Sequence, residues 1–257
     1  QKTAYEISLG LVGSEMCIRD REERIYPLVR KGNLLKFRVY NTERGARVIV
    51  EYFLEKTMPT KEDVVTLDGT RVKISYPEAY GELKHKIVYT LNKTLSLLED
   101  VFGEKFDELE FKFFLPWLRD IGTLGFVRAE EIRVGKGPIN LNMLLLRYVP
   151  GYFEVTIVHE YVHKALASAG IEANNELRWF HEGVAEYVSL VICKKAGVNV
   201  TLLEEGREEF FKRVKEAVEK TYGGDYGSLL QDWSAPGPQD LKYAASEYLV
   251  TQLAERY

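Results

Sequence analysis

His159 and His163 stand four residues apart with Glu160 directly after the first of them. On an α-helix that spacing amounts to roughly 40° of rotation and about 6 Å of rise, so both imidazoles can reach one metal ion. Glu160 projects about 100° from His159 and about 60° from His163, which lets its carboxylate stand beside the ion without ligating it. A carboxylate so placed can take a proton from a bound water and act as general base. With only four histidines in the chain, a random match to this five-residue pattern has a probability below roughly one per cent.

A catalytic zinc site takes three protein ligands and keeps one position for water, so a further His, Asp, Glu or Cys must stand nearby. Glu182 is the best candidate, since it lies in a second helical stretch after eighteen residues that separate it from His163. His181 adjoins it but points about 100° away along a helix, and is read as a non-ligand. Cys193 shares a helical face with Glu182 but lies roughly 16 Å further along the axis, which suits an inert core thiol. His85 has no partner motif and is read as a surface or packing residue.

Together, these residues resemble the gluzincins, the zinc peptidases that include thermolysin and the aminopeptidase N-like enzymes. The eighteen-residue gap and the run from Trp179 through Glu182, Gly183 and Ala185 look most like the aminopeptidase N branch, and the resemblance covers mainly residues 153–190. It implies a zinc-dependent metallopeptidase with one Zn2+ per chain, held by His159, His163 and Glu182, with Glu160 as the base and a peptide or protein as substrate. It also implies that Glu186, one turn beyond Glu182, steadies a ligand histidine, which makes physical sense because such a contact fixes tautomer and ring orientation. A solvated helix face is the alternative for Glu186. The branch's Gly-x-Met-Glu-Asn strand, which captures a substrate amino terminus, is missing. Residues 125–131 occupy a comparable place, where Glu130 or Glu131 would serve unless they line a solvated strand edge, so exopeptidase specificity stays open.

The oxyanion that forms at a scissile carbonyl needs a second electrophile, and a tyrosine suits that role. Tyr243 and Tyr248 are five apart and diverge by about 140° on a helix, so only one can face the site. Tyr248 adjoins an apolar stripe of Leu241, Ala245, Leu249 and Leu253, whereas Tyr243 lies off it. The resemblance favours Tyr243, because the branch places a catalytic tyrosine about sixty residues after the glutamate ligand.

Several elements must position these groups. Alternation over 34–76, with an Asp-Gly turn at 68 and 69, predicts β-strands. Leu83, Ile87, Leu91, Leu95 and Leu98 mark one face of a helix over 80–102 that Gly103 stops. Strands are expected at 109–115, around 125–134 and at 139–141. Helices are expected at 153–169 with Gly170 behind it, at 179–196 with Gly197 behind it, at 202–221, and from 240 to the end. The fold class is therefore α+β: a zincin-like domain with a mixed sheet, an active-site helix and a following ligand helix, preceded by a small β-rich segment. The expected division is 22–78 for that segment and 79–257 for the metallopeptidase domain, with the chain stopping inside a helix. Residues 1–21 sit badly with the rest of the chain and resemble translated sequencing-adapter sequence, so they stand outside the fold argument.

Composition sets the outer limits. At 46% hydrophobic residues, the 257-residue chain can build a sizeable core. Its 35 basic and 39 acidic residues leave a net charge of −4, which gives no sign of a nucleic-acid partner. No apolar run approaches the ~18 residues of a membrane-spanning helix, and two cysteines make no disulfide framework. Two other readings accompany the peptidase: a zinc-stabilised binding or scaffold module without turnover, and a zinc hydrolase of a non-peptide amide or ester. Retention of Glu160 argues against the first, because a purely structural site has no use for a base.

Overall fold

The computed structural model describes residues 28–30, 33–42, 45–53, 59–114, 124–127, 137–147, 149–234 and 239–256. Strands β1 (Leu28–Arg30), β2 (Asn33–Thr42) and β3 (Gly45–Phe53) form an antiparallel three-stranded sheet in that order. A second, five-stranded sheet contains β4 (Thr60–Leu67), β5 (Thr70–Pro77), β6 (Glu108–Phe114), β7 (Gly125–Phe126) and β8 (Ile139–Asn142), in the order β4-β5-β6-β8-β7. The Asp-Gly turn joins β4 to β5 with Asp68 at φ 46° and Gly69 at φ 82°, the two left-handed residues a tight hairpin asks for.

The sheet is mixed. β5 and β6 pair in parallel with Ile74 opposite Phe111, and β6 and β8 pair in parallel with Phe111 opposite Ile139. Parallel neighbours need a crossover, and helix α1 (Glu82–Phe102) supplies the one between β5 and β6. Its five predicted apolar positions are all buried, as are Val72, Ile74, Leu109, Phe111, Ile139 and Leu141 of the strands. This is the central core. β4 and β5, which the sequence pattern assigns to the β-rich segment, thus belong to the same sheet as β6, so hydrogen bonding runs across the expected division at residue 78.

Besides 3-10 turns at Glu78–Tyr80 and Met143–Arg147, four further α-helices and one short one follow: α2 (Tyr152–Ser168), α3 (Arg178–Lys195), α4 (Thr201–Tyr222), α5 (Tyr226–Leu230) and α6 (Gln239–Arg256). The short α5 had no sequence expectation; Asp225 starts it by accepting the Gly227 N–H. Gly151 precedes α2 at φ 85°, and a Cβ there would sit 2.3 Å from the Asn199 carbonyl oxygen, so only glycine admits this approach to the α3–α4 connection. α2 is buried on most of its circumference rather than on one stripe: Phe153, Ile157, Val158, Tyr161, Val162 and Ala165 are all inside.

α6 keeps its expected stripe at Ala245, with Leu241 and Leu249 packed beside it, but loses it at the far end. Leu253 is 46% exposed, and the buried face carries Lys242, Ala244, Ala245, Ser246 and Val250. Small residues are inside because α3 crosses here at close range: a Cβ on Gly183 would lie 2.5 Å from the Ser246 carbonyl oxygen. Two backbones can approach this far only where side chains are small. α6 is thereby held against the helix that carries Glu182.

Candidate metal centre

α2 brings His159, Glu160 and His163 to one end of a cleft of about 720 Å³ that α3, α4, α6 and the strand β7 also line. His159 Nε2 and His163 Nε2 are 3.0 Å apart, and Glu182 Oε2 from α3 lies 3.1 Å from the second and 3.5 Å from the first. Metal–ligand bonds of ~2.0–2.1 Å at tetrahedral angles put neighbouring ligand atoms roughly 3.3 Å apart. The triangle of these three atoms matches that spacing, and among the described residues they form a group able to hold a metal ion.

Proton accounting points the same way. His181 Nε2 is 2.7 Å from the Ile171 carbonyl oxygen, which can only accept, so this nitrogen carries the hydrogen. Neutral His181 is then bare at Nδ1, which lies 2.9 Å from His163 Nδ1 and accepts from it. Neutral His163 is in turn bare at Nε2, the atom that faces Glu182 and His159. A carbonyl outside the site thus fixes the tautomer of a metal-competent imidazole through one intermediate ring. His159 Nδ1 sits 3.6 Å from Glu186 Oε1, beyond hydrogen-bond distance, but the carboxylate's charge favours a hydrogen on that side, away from the triangle. Three lone pairs converge, and either a proton or a metal cation must stand among them.

The electrostatics agree. Burial pulls His159 towards the neutral form, but the carboxylates of Glu186, Glu182 and Glu160 outweigh it and raise its pKa to about 9. His163 is pushed down to about 4 by burial, against the attraction of Glu182. Burial resists ionisation of Glu182, yet His163 and His159 hold its carboxyl well below the usual carboxylate range. Glu160 is only 6% exposed, and its burial lifts it to about 7 while His159 pulls the other way. A carboxylate near neutrality outside the ligand triangle is suited to taking and returning a proton. Burial also raises Glu186.

The remaining candidates occupy different surroundings. Tyr243 lines the cleft with its ring edge-on to Trp233 at 5.3 Å, and burial and the nearby Glu182 carboxylate push its phenol up to about 12. Tyr248 packs instead between Phe211 and Tyr226, at 5.5 and 5.7 Å, with the Lys215 ammonium 4.8 Å from its ring centre. Cys193 is buried and its thiol is pushed up to about 12 by burial, with the Glu154 carboxylate adding to the effect. His85 is exposed, and Glu130 and Glu131 lie outside the described residues. His181 stays out of the triangle, but its role as orienter of His163 escaped the sequence. The angle from Glu182 along one helix says nothing about a contact across to another helix. Arg178 was missed as well: its Nε donates to Glu182 Oε1 at 2.6 Å. The signal was there, because residues four apart on a helix are neighbours.

No protein-family model matches this sequence. The chaperone protein HtpG of Buchnera aphidicola subsp. Acyrthosiphon pisum (strain APS) is 29% identical over 180 residues, with 66% of this chain and 27% of the chaperone aligned. A crystal structure of an aminopeptidase N family protein from Idiomarina loihiensis superposes with a TM-score of 0.47 and 12% identity over 90% of this chain and 42% of its own. The chain therefore spans about a quarter of the chaperone's length and under half of the aminopeptidase family protein's. No membrane-spanning helix, long and apolar enough, occurs among the described residues.

Proposed function

We propose that this chain is a zinc metallopeptidase of the gluzincin type, with His159, His163 and Glu182 as the ligands of one zinc ion. The observation that carries the reading is the convergence of their three ligand atoms within 3.0–3.5 Å, with the buried Glu160 carboxylate beside them and outside the triangle. Zinc, when bound, supplies a Lewis acid that polarises water and a carbonyl oxygen at neutral pH.

The protein's own groups do the rest. Glu160 takes the proton of the attacking water and passes it to the leaving amine, a task suited to a buried carboxylate that ligates nothing. Tyr243 keeps its phenolic hydrogen, with a pKa of about 12, and donates it to the carbonyl oxygen as negative charge builds there. Glu186, whose Oε1 lies 3.6 Å from His159 Nδ1, steadies that ring by its charge and would take the Nδ1 hydrogen on a slight approach. β7 is an edge strand among the described residues, and Gly125 and Phe126 line the cleft. An extended peptide would add beside it through main-chain hydrogen bonds.

The test pairs metal analysis with a peptide-library digest. Purified protein is expected to hold about one zinc per chain. His163→Ala and Glu182→Ala abolish tight binding, and Glu160→Gln keeps the metal but loses at least the ~10²-fold of a missing general base. Stoichiometric zinc without any cleavage by the wild type would favour the binding-module reading, and full zinc in Glu182→Ala would remove that residue from the site.

A further inference from the structure

Arg178 is out of place by the local rules of helices. It is the first residue of α3, where the positive end of the helix dipole disfavours a cation. Its pairing with Glu182 also runs from a basic residue to an acidic one four positions later, the weaker of the two orientations. A residue that breaks a local preference beside a candidate site calls for a reason there.

Its contacts supply one. Arg178 Nε donates to Glu182 Oε1 at 2.6 Å, while Glu182 Oε2 is the oxygen that faces His163 and His159. The carboxylate side chain is only 2% exposed and the guanidinium side chain 41%, so the pair joins a buried anion to a group on the cleft wall. The same guanidinium also acts electrostatically on the Tyr243 phenol, which lines the cleft with it. Arginine has donors and no acceptor, so the guanidinium can only face the phenol oxygen and never take its hydrogen. The phenolic hydrogen is then left for another acceptor, and both Arg178 and Tyr243 line the cleft where one would arrive.

We propose that Arg178 is a positioning residue that occupies one oxygen of Glu182, so that only the other is presented to the metal, and that sets the Tyr243 phenol as a donor towards the cleft. The inference rests on the metallopeptidase reading above. A planar fork is suited to holding two partners at once, whereas a lysine ammonium on a flexible stem holds them as a point charge. Arg178 therefore couples the ligand to the oxyanion donor.

The experiment uses the full chain loaded with Co2+, whose visible spectrum reports coordination number, with Arg178→Gln and Arg178→Lys compared with wild type. In both variants Oε1 of Glu182 loses its fixed partner, and the cobalt bands are expected to weaken as the carboxylate binds through both oxygens. Peptide hydrolysis supplies the second readout. Arg178→Lys is expected to lower kcat by about ten- to a hundredfold with KM little changed, the scale of a misplaced catalytic group. On a Tyr243→Phe background the same change should cost less than about a third of that factor, because its route through the phenol is already gone. An unchanged cobalt spectrum in both variants, or kcat losses that multiply independently, overturns the proposal. Failure of the wild type to take up cobalt or zinc overturns the metallopeptidase reading itself, and is thus distinguishable.

Discussion

Gly125 on the edge strand β7 lies so close to Glu160 on α2 that a Cβ at position 125 would stand 2.6 Å from Glu160 Oε1 and 2.9 Å from its Cγ and Cδ. The contact needs no unusual backbone angle. What glycine supplies is room for a carboxylate between strand and helix. Gly125→Ala is expected to push the Glu160 side chain aside, because a side chain moves more readily than the backbone of strand or helix. A displacement near 1 Å in a catalytic group can cost on the order of 10²-fold in rate. Loss of kcat with unchanged zinc content and thermal midpoint is the expected result, and an unaltered kcat would show that the approach has no bearing on Glu160.

His181 gives a second expectation. His181→Leu removes the acceptor for His163 Nδ1 and leaves the Ile171 carbonyl without its donor. His163 is then free to place its hydrogen on Nε2, inside the triangle, where it opposes metal binding. Loss of a contact of this kind typically costs 10- to 100-fold in metal affinity. His181→Asn, which keeps both a donor and an acceptor, should recover part of the loss. Chelator competition measures both, and equal affinity in the leucine variant and wild type would remove His181 from the site.

On the proposed reading, protonation of His159 should make zinc affinity depend on pH. In the metal-free chain its pKa stands at about 9, held there against burial by Glu186, Glu182 and Glu160. Below that value the folded chain carries a proton that zinc must displace, so binding releases about one proton between pH 7 and 8. Apparent affinity should rise as pH climbs through this window, by up to tenfold per unit, and level off above about 9. His163, at about 4, is already neutral there and adds nothing. Calorimetry in buffers of different ionisation heat counts the protons, and release of far less than one at pH 7.5 would contradict the assignment.

The parts of this arrangement that lie along one helix were legible in the sequence. The five-position stripe of α1 and the spacing of His159, Glu160 and His163 follow from helical period alone. Contacts between elements were not. The continuation of the sheet through β4 and β5 depends on parallel pairing of Ile74 with Phe111, which no local pattern encodes. The burial of Ala244 and Ser246 in place of Leu253 depends on how near Gly183 lets α3 come. His181 belongs with these cases, since its partners, His163 and Ile171, come from other segments.

The last expectation separates the two tyrosines of α6. In the sequence Tyr243 stands apart from an apolar stripe of Leu241, Ala245, Leu249 and Leu253, of which Ala245 is buried and Leu241 and Leu249 pack against the core while Leu253 is exposed. The separation stands on other ground: Tyr243 lines the cleft together with Arg178, while Tyr248 has its ring against Phe211 and Tyr226. Aromatic pairs of that kind depend on the ring and not on the hydroxyl. Tyr243→Phe should therefore lower kcat by about 10²-fold, the scale of one lost oxyanion donor, with zinc and fold intact. Tyr248→Phe keeps both ring contacts and should leave kcat and stability close to wild type, whereas Tyr248→Ala should lower the thermal midpoint by removing them. A kinetic defect in Tyr248→Phe with none in Tyr243→Phe would reverse the two roles.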